Sequence, residues 1–314
     1  MTFGKRLAAI SAMAMGFVAL SGPAAQATYY SEYDDVASTP DTAKCTAAQG
    51  FAAGSTYLYS IKTRTSDYGR SVIYRVNKDT KKTQVMTTGG KSYNGWLGHA
   101  NDMTIADFAG KHYFWVATYN KSSSKAQLVQ LSYSGNTYKK VKSYHVKLSG
   151  KIAAVTGITR AATTDTGINF FFKSEKQVYT GTVKLKPSQK SSTVNIKKAF
   201  KLSTANAKVN GQKIDLSGFL NQGFHYDPAK SVVYYPLTKG NRSVVLVYPG
   251  VVPTRDKAAY PSETDSFRIT SSKYSKKFEI EGLGLSGGKL YFNTNRATTK
   301  KAADGVHVFK GYTS

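Results

Sequence analysis

Gln49-Gly50-Phe51-Ala52-Ala53, His99-Ala100-Asn101-Asp102-Met103, Thr156-Gly157-Ile158-Thr159, Gln222-Gly223-Phe224-His225-Tyr226 and Glu281-Gly282-Leu283-Gly284-Leu285 begin alike. Each opens on a polar residue, continues with Gly or Ala, and runs into a mostly apolar stretch. Within about a dozen residues each is followed by an aromatic strand: Tyr57-Leu58-Tyr59, Tyr113-Phe114-Trp115-Val116, Asn169-Phe170-Phe171-Phe172, Val232-Val233-Tyr234-Tyr235 and Lys289-Leu290-Tyr291-Phe292. Successive starts lie 50, 57, 66 and 59 residues apart. A degenerate repeat of about 50 residues built from strands is the signature of a β-propeller. Five copies predict an all-β, five-bladed propeller.

The intervals divide into blades of four strands. Blade one is 49–53, 55–64, 71–77 and 83–88. Blade two is 99–106, 112–119, 126–133 and 138–148. Blade three is 156–163, 168–174, 177–185 and 193–202. Blade four is 222–227, 231–238, 243–248 and 267–272. Turn dipeptides such as Asp227-Pro228, Gly240-Asn241 and Gly287-Gly288 fall between strands. The fifth blade has only 281–285, 289–295 and 306–312, and the segment 29–38 has no blade of its own. The sequence therefore predicts that 29–38 supplies the missing outer strand, closing the ring and removing an open edge. Its acidic residues would then meet a basic neighbour. The two longest inserts are 203–220 and 251–266.

Lys5 and Arg6 precede an apolar run from Leu7 to Leu20 and a small-x-small site at Ala25-Gln26-Ala27. This is the pattern of an export signal over 1–27, which leaves 28–314 as a single domain of a secreted protein without a transmembrane anchor. The chain carries a formal charge of +26. Removing Lys5 and Arg6 leaves +24. Residues 28–41 hold Glu32, Asp34, Asp35 and Asp41 and no base, so the body from residue 42 onward is +28. Such a field attracts polyanions and is screened by salt. For an exported protein the candidate partners are, foremost, anionic wall polymers or acidic glycans, and also anionic lipid headgroups or extracellular nucleic acid; the alternative is a charge that serves solubility or meets a partner of opposite sign. No dedicated nucleic-acid motif is present, and a monomer is expected. Cys45 has no second cysteine to pair with and reads as a small buried apolar residue.

The repeat starts place Gln49, His99, Thr156, Gln222 and Glu281 on the innermost strands, with Asn101 and Asp102 beside them. Two readings stand side by side. The seven can form a polar ligand-binding ring at one mouth of the channel, or they can bond the backbone of neighbouring blades. His99 with Glu281, or Asp102 as a second carboxylate, would suit acid–base or glycosidic chemistry, but no catalytic motif is complete. No metal or cofactor is implied: one histidine beside Asn101 and Asp102 is a thin ligand set. His225 reads as a core or rim imidazole. Among the 22 tyrosines, Tyr119, Tyr133, Tyr138, Tyr144 and Tyr274 lie among Lys and Ser and are the better candidates for exposed stacking surfaces, with core packing the commoner role for any single one.

At Gly98-His99-Ala100-Asn101-Asp102-Met103, Asn221-Gln222-Gly223-Phe224 and Glu279-Ile280-Glu281-Gly282-Leu283 the chain resembles a family of secreted Gram-positive propellers. That family includes helveticin J-type large bacteriocins and the proteins labelled teichoic acid biosynthesis protein C. The resemblance lies in the order of these short motifs and of the strands after them, over about residues 45–312. It implies a five-bladed propeller, secretion and action at a bacterial surface. No catalytic residue carries over. The signature positions map to His99, Gln222 and Glu281, and the third repeat departs, with Thr156 at the corresponding place. The function expected is therefore a secreted, cationic, bacteriocin-like propeller that binds anionic envelope polymers. The alternatives are a polysaccharide hydrolase or lyase at the central funnel, or a scaffold for an acidic partner protein.

Overall fold

The computed structural model describes residues 32–186, 191–253 and 256–312. The expected export signal, and residues 29–31 of the expected closing strand, lie outside them. Among the described residues there is no helix, and the elements are strands. After β1 (Tyr33–Ser38) come five antiparallel meanders. The first is β2 (Ala47–Ala53), β3 (Tyr57–Thr63), β4 (Ser71–Asn77) and β5 (Thr83–Val85). The second is β6 (Asp102–Ile105), β7 (Tyr113–Ala117), β8 (Leu128–Ser134) and β9 (Thr137–Leu148), with the two-residue β10 (Lys151–Ile152) turning back on β9.

The third meander is β11 (Gly157–Thr164), β12 (Gly167–Ser174), β13 (Gln177–Lys184) and β14 (Thr193–Leu202). Its last strand runs parallel to β9 and joins the second and third meanders into one ten-stranded sheet. The hairpin β15 (Lys208–Val209) and β16 (Gln212–Lys213) occupies the first long insert. The fourth meander is β17 (Leu220–Asn221), β18 (His225–Asp227), β19 (Val232–Lys239), β20 (Arg242–Tyr248) and, after β21 (Lys257–Ala259), β22 (Phe267–Thr270). β21, in the second long insert, leaves its own meander to run parallel to β14. The fifth is β23 (Lys277–Ser286), β24 (Lys289–Ala297) and β25 (Gly305–Phe309). β1 pairs antiparallel with β25, Tyr33 opposite Phe309 and Ser38 opposite Gly305.

The aromatic strands explain how the meanders pack. Successive residues of a strand point to opposite faces, and a strand apolar on both faces is covered on both. Phe114 packs toward Ile61 and Ile73 of the first meander, while its neighbour Trp115 packs with Phe170 of the third. Phe170 and Phe172 face the second meander, and Phe171 faces Tyr235 and Leu246 of the fourth. Tyr234 turns the other way, into a cluster with Phe292 and Phe309 of the fifth. Tyr291, beside Phe292, joins Val306 to Leu58 and Val76 of the first. Each meander thus shares an apolar cluster with the one before it and the one after it, and the fifth shares one with the first.

The inner strands form a closed circuit: β2 packs against β6 and β23, β6 against β11, β11 against β18, and β18 against β23. The approach is close. A Cβ on Gly223 would lie 2.8 Å from Asp102 Oδ1 and 2.9 Å from the Glu281 carbonyl, and one on Gly282 would lie 2.8 Å from Phe51 Cβ. Only glycine fits where three backbones converge.

Three expectations are corrected in detail. The inner strand expected from His99 begins at Asp102, because Gly98 and Ala100 both take left-handed backbone (φ 60° and 51°) and turn the chain before it can pair. The inner strand expected over 222–227 is broken into β17 and β18, both of which pair with β19. Tyr138, Tyr144 and Tyr274 are buried rather than surface residues: Tyr138 accepts a hydrogen bond from Asn94, and Tyr144 donates one to Gln130. Cys45 is fully buried beside Val72 and Tyr74, and that burial raises its thiol pKa.

Candidate functional site

The seven residues of the expected polar ring divide by what their side chains touch. Asp102 is 1% exposed. Its Oδ1 accepts from Met103 N (2.9 Å), and its Oδ2 accepts from Ile158 N (3.0 Å) and Phe224 N (3.3 Å). One carboxylate thereby stitches the second, third and fourth meanders together. Burial pushes its pKa up, and these three donors oppose the shift.

Glu281 is equally deep and accepts from Asn295 Nδ2 (2.5 Å). Burial, and then the neighbouring Glu279, hold it well above the usual carboxylate range. Asn295 also clasps the first meander, its Oδ1 accepting from Ala48 N (2.6 Å) and its Nδ2 donating to Ala48 O (3.0 Å). Asn293 does the same one strand step away, accepting from Gly282 N and donating to Gln49 O and Ser60 Oγ. Asn101 donates to Thr156 O (2.6 Å). Thr156 Oγ1 donates to Lys173 O and accepts from Lys173 Nζ. Gln49 is buried and Gln222 half-buried.

Lys173, Asn293 and Asn295 were not among the expected residues. Lys173 is wholly buried, donates to Asn221 Oδ1 (2.8 Å), and lies over the Tyr235 ring. Burial lowers its pKa, and the field of Asp102 opposes that. The signal was present in the sequence as polar residues interrupting aromatic runs: Lys173 directly after Phe170-Phe171-Phe172, and Asn293 and Asn295 at a spacing of two after Tyr291-Phe292. A polar side chain at a two-sided core position must find a partner across the packing interface.

His99 alone of the seven lines a large cavity, about 700 Å³, together with Tyr68, Trp96, Tyr119, Lys121 and Lys125. It lies on the face where the inner strands begin, between the first and second meanders. The His99 ring stands edge-on to Tyr68 (centroids 4.5 Å apart) and tilted to Tyr119 (5.8 Å). Burial lowers the His99 pKa, with Asn101 opposing.

Both flanking tyrosines are exposed and both hold left-handed backbone, φ 53° at Tyr68 and 56° at Tyr119. Each such residue costs on the order of 1–3 kcal/mol and persists only where its surroundings hold it. They do hold it. Asp67 accepts from Arg64 (2.7 and 2.6 Å) and from Gly69 N (2.8 Å), clamping the turn under Tyr68. Asn120 donates to Thr118 Oγ1 and Ala126 O, and Thr118 Oγ1 donates to Ala126 O, closing the loop that carries Tyr119. Lys121 Nζ lies 5.4 Å from the Tyr119 ring centre. The result is a preformed cleft with aromatic walls and two lysines at its edge. It offers stacking surfaces to sugar rings and cationic donors to acidic groups.

No protein-family model matches the chain, and no curated protein matches it. Solved structures do. The GH43B protein of a Bacteroides ovatus xyloglucan locus aligns over 87% of this chain and 53% of its own, with 10% identity and a TM-score of 0.51. The GH43 protein BlXynB from Bacillus licheniformis aligns over 87% and 57%, at 10% identity and a TM-score of 0.48. The tail fibre of Staphylococcus aureus phage P68 aligns over 88% and 52%, at 9% identity and a TM-score of 0.47. The chain thus spans about half the length of these solved chains. At such identity the likeness to the first is one of architecture, and the architecture it shares is an all-β propeller.

Proposed function

We propose that the protein is a secreted five-bladed propeller, closed by β1 on the last blade, that binds anionic glycans or polyol phosphates of bacterial envelopes through the His99 cleft. The observation that carries this reading is the pairing of Tyr68 and Tyr119 around His99, both exposed, both pinned in left-handed backbone, with Lys121 and Lys125 at the rim. Aromatic side chains held ready by strained, hydrogen-bonded loop backbone favour ligand recognition, because ordering has been completed before binding. The +28 body supplies long-range attraction to a polyanion, and the bacteriocin-type resemblance suggests a Gram-positive wall as the target. Five shared apolar clusters and the closed circuit of inner strands support the blade count. The β1–β25 ladder supports the closure.

Binding is favoured over hydrolysis by the surroundings of the two carboxylates a funnel enzyme would use. Asp102 and Glu281 are buried, and their recorded hydrogen bonds go to the fold.

Trp96 gives a direct readout. The chain has two tryptophans; Trp115 is wholly buried and Trp96 lines the cleft. Titration with a soluble polyol phosphate or acidic polysaccharide should change tryptophan emission saturably and with a strong salt dependence. The change should vanish in Trp96→Phe and weaken at least tenfold in Tyr68→Ala/Tyr119→Ala. An emission change that persists in Trp96→Phe, or none with any acidic polymer, would contradict the reading.

A further inference from the structure

The opposite end of the channel carries a second constellation. The ends of β2, β6, β18 and β23 converge there with Thr159 and Arg160 of β11 on a cavity of about 290 Å³, lined by Ala53, Thr104, Arg160, His225, Asp227 and Gly284 among others. A neighbouring cavity of about 480 Å³ shares Ala53, Ile105 and Arg160 with it and is walled by Tyr57, Tyr59 and Tyr133. Arg160 therefore stands where the two meet. It is exposed, and among the described residues it forms no ion pair. It sits at a register break in the β11–β12 ladder, between Arg160 and Ala162, the kind of irregularity that re-aims a side chain out of the regular pleat.

The groups around it are held. Asp227 Oδ1 accepts from Ala229 N (2.9 Å), and the Asp107 carboxylate is paired with His112 (2.8 Å). The tyrosine walls are braced from behind: Tyr133 stacks on Phe114 at 3.8 Å and 3°, and Arg75 lies 4.3 Å over the Tyr57 ring. His225 is half-buried and stacks on Tyr234.

A guanidinium presents paired N–H donors in a plane and matches the two oxygens of a carboxylate or phosphate. Aromatic walls one cavity away suit a ring. Small residues at Ala53 and Gly284 leave the mouth open: a Cβ on Gly284 would lie 2.9 Å from Ala53 Cβ, so both positions must stay small for the strands to meet there.

We infer that this groove is a second ligand site, on the face away from the His99 cleft, that takes one acidic sugar unit. Arg160 pairs with the sugar's carboxylate or phosphate, and Tyr57 and Tyr133 contact the ring. A propeller with an acidic-glycan site on each face can hold two polymer segments at once, one per face.

The test is calorimetric titration of the folded protein with glucuronate, glucose 6-phosphate and glucose. The His225 ring resonances are followed by NMR as a local reporter. At least one of the two acids should bind saturably and shift His225, and glucose should do neither. Arg160→Gln should weaken the binding that His225 reports at least tenfold, whereas Tyr68→Ala and Lys121→Gln, on the other face, should leave the His225 titration unchanged even where they reduce the total heat. A His225 titration that Arg160→Gln leaves intact, one that glucose produces as tightly as the acids, or none with either acid would overturn the inference. Because the cleft variants do not touch this groove, failure here leaves the His99 reading standing, and the reverse also holds.

Discussion

Asp35, on the first strand, accepts hydrogen bonds from His307 Nδ1 (2.8 Å) and from Arg296 Nη1 and Nη2 (2.6 and 3.2 Å), both on the last meander. His307 is fully buried and Arg296 is 6% exposed at its side chain, while Asp35 is 47% exposed. The half-exposed carboxylate is therefore the sole ion-pair partner recorded for an almost buried guanidinium among the described residues. Lys310 lies within 3.6 Å of Glu32 and 3.3 Å of Asp34. The acidic N-terminal segment is matched to a basic last meander side chain by side chain.

Asp35→Asn should destabilise the fold by about 2 kcal/mol, measured as a shift in urea midpoint at unchanged slope. The figure lies below the loss for a fully buried pair because water already screens one partner. A shift within about 0.5 kcal/mol, the range of an ordinary surface substitution, would show that β1 is held by its backbone ladder alone.

The same cluster sets a pH dependence. Burial lowers the His307 pKa from 6.5 to about 4, so the imidazole stays neutral in the fold while the unfolded chain protonates first. Between pH 6.5 and 4 the unfolded state binds the extra proton, and stability falls as pH falls. Asp35, held below the usual carboxylate range by His307 and Arg296, acts in the same direction at lower pH. Asp102 and Glu281, whose pKa values are raised, act in the opposite direction. The difference between wild type and His307→Gln isolates the histidine. It should shrink by on the order of 3 kcal/mol from pH 7 to pH 4. A difference that stays constant with pH would refute a neutral buried His307.

Asp102→Asn keeps the shape of the side chain but puts an NH₂ in place of one of the two oxygens that between them accept backbone N–H bonds from Met103, Ile158 and Phe224. An unmade bond at a buried donor costs about 1–3 kcal/mol. The variant should lose that stability in chemical denaturation while, at temperatures where it is folded, binding ligand at the His99 cleft as wild type does. Loss of binding with full stability would instead make Asp102 a ligand-contacting residue.

Gly223→Ala places a methyl group 2.8 Å from Asp102 Oδ1 and 2.9 Å from a backbone oxygen. Neither neighbour is a flexible chain end. The variant should be destabilised by about 3 kcal/mol or recovered only in insoluble form. Stability equal to wild type would mean that the inner strands are not packed this tightly.

Much of the architecture is legible in the residues because each aromatic strand is apolar on both faces, and only sandwiching between two neighbours satisfies Phe170-Phe171-Phe172 or Tyr234-Tyr235. The pairing of 33–38 with the last meander follows from counting strands. The site is less legible. The repeat starts mark the centre of the fold, but a polar residue there has two uses, and periodicity does not separate them. Asp102 and Glu281 bond the fold, whereas His99 faces a cavity because Gly98 and Ala100 turn the chain before the strand begins. Tyr68 could not be picked out among 22 tyrosines, since its role depends on a turn clamped by Asp67. Tyr138, Tyr144 and Tyr274 looked exposed from their Lys and Ser neighbours. Around Tyr138 and Tyr144, in β9, those neighbours point to the other face of the strand, whereas Tyr274 lies in the turn before β23 and packs inward on Phe278.

The most direct measurement is retention of the protein, prepared without residues 1–27, on isolated Gram-positive cell walls, before and after their anionic polymers are stripped, across a salt series, for wild type and Tyr68→Ala/Tyr119→Ala. The account predicts that wild-type retention disappears with the polymers and weakens steadily with salt, and that the double variant is retained at least tenfold more weakly at every salt concentration. Retention indifferent to stripping and to salt, or equal for the two proteins, would contradict it.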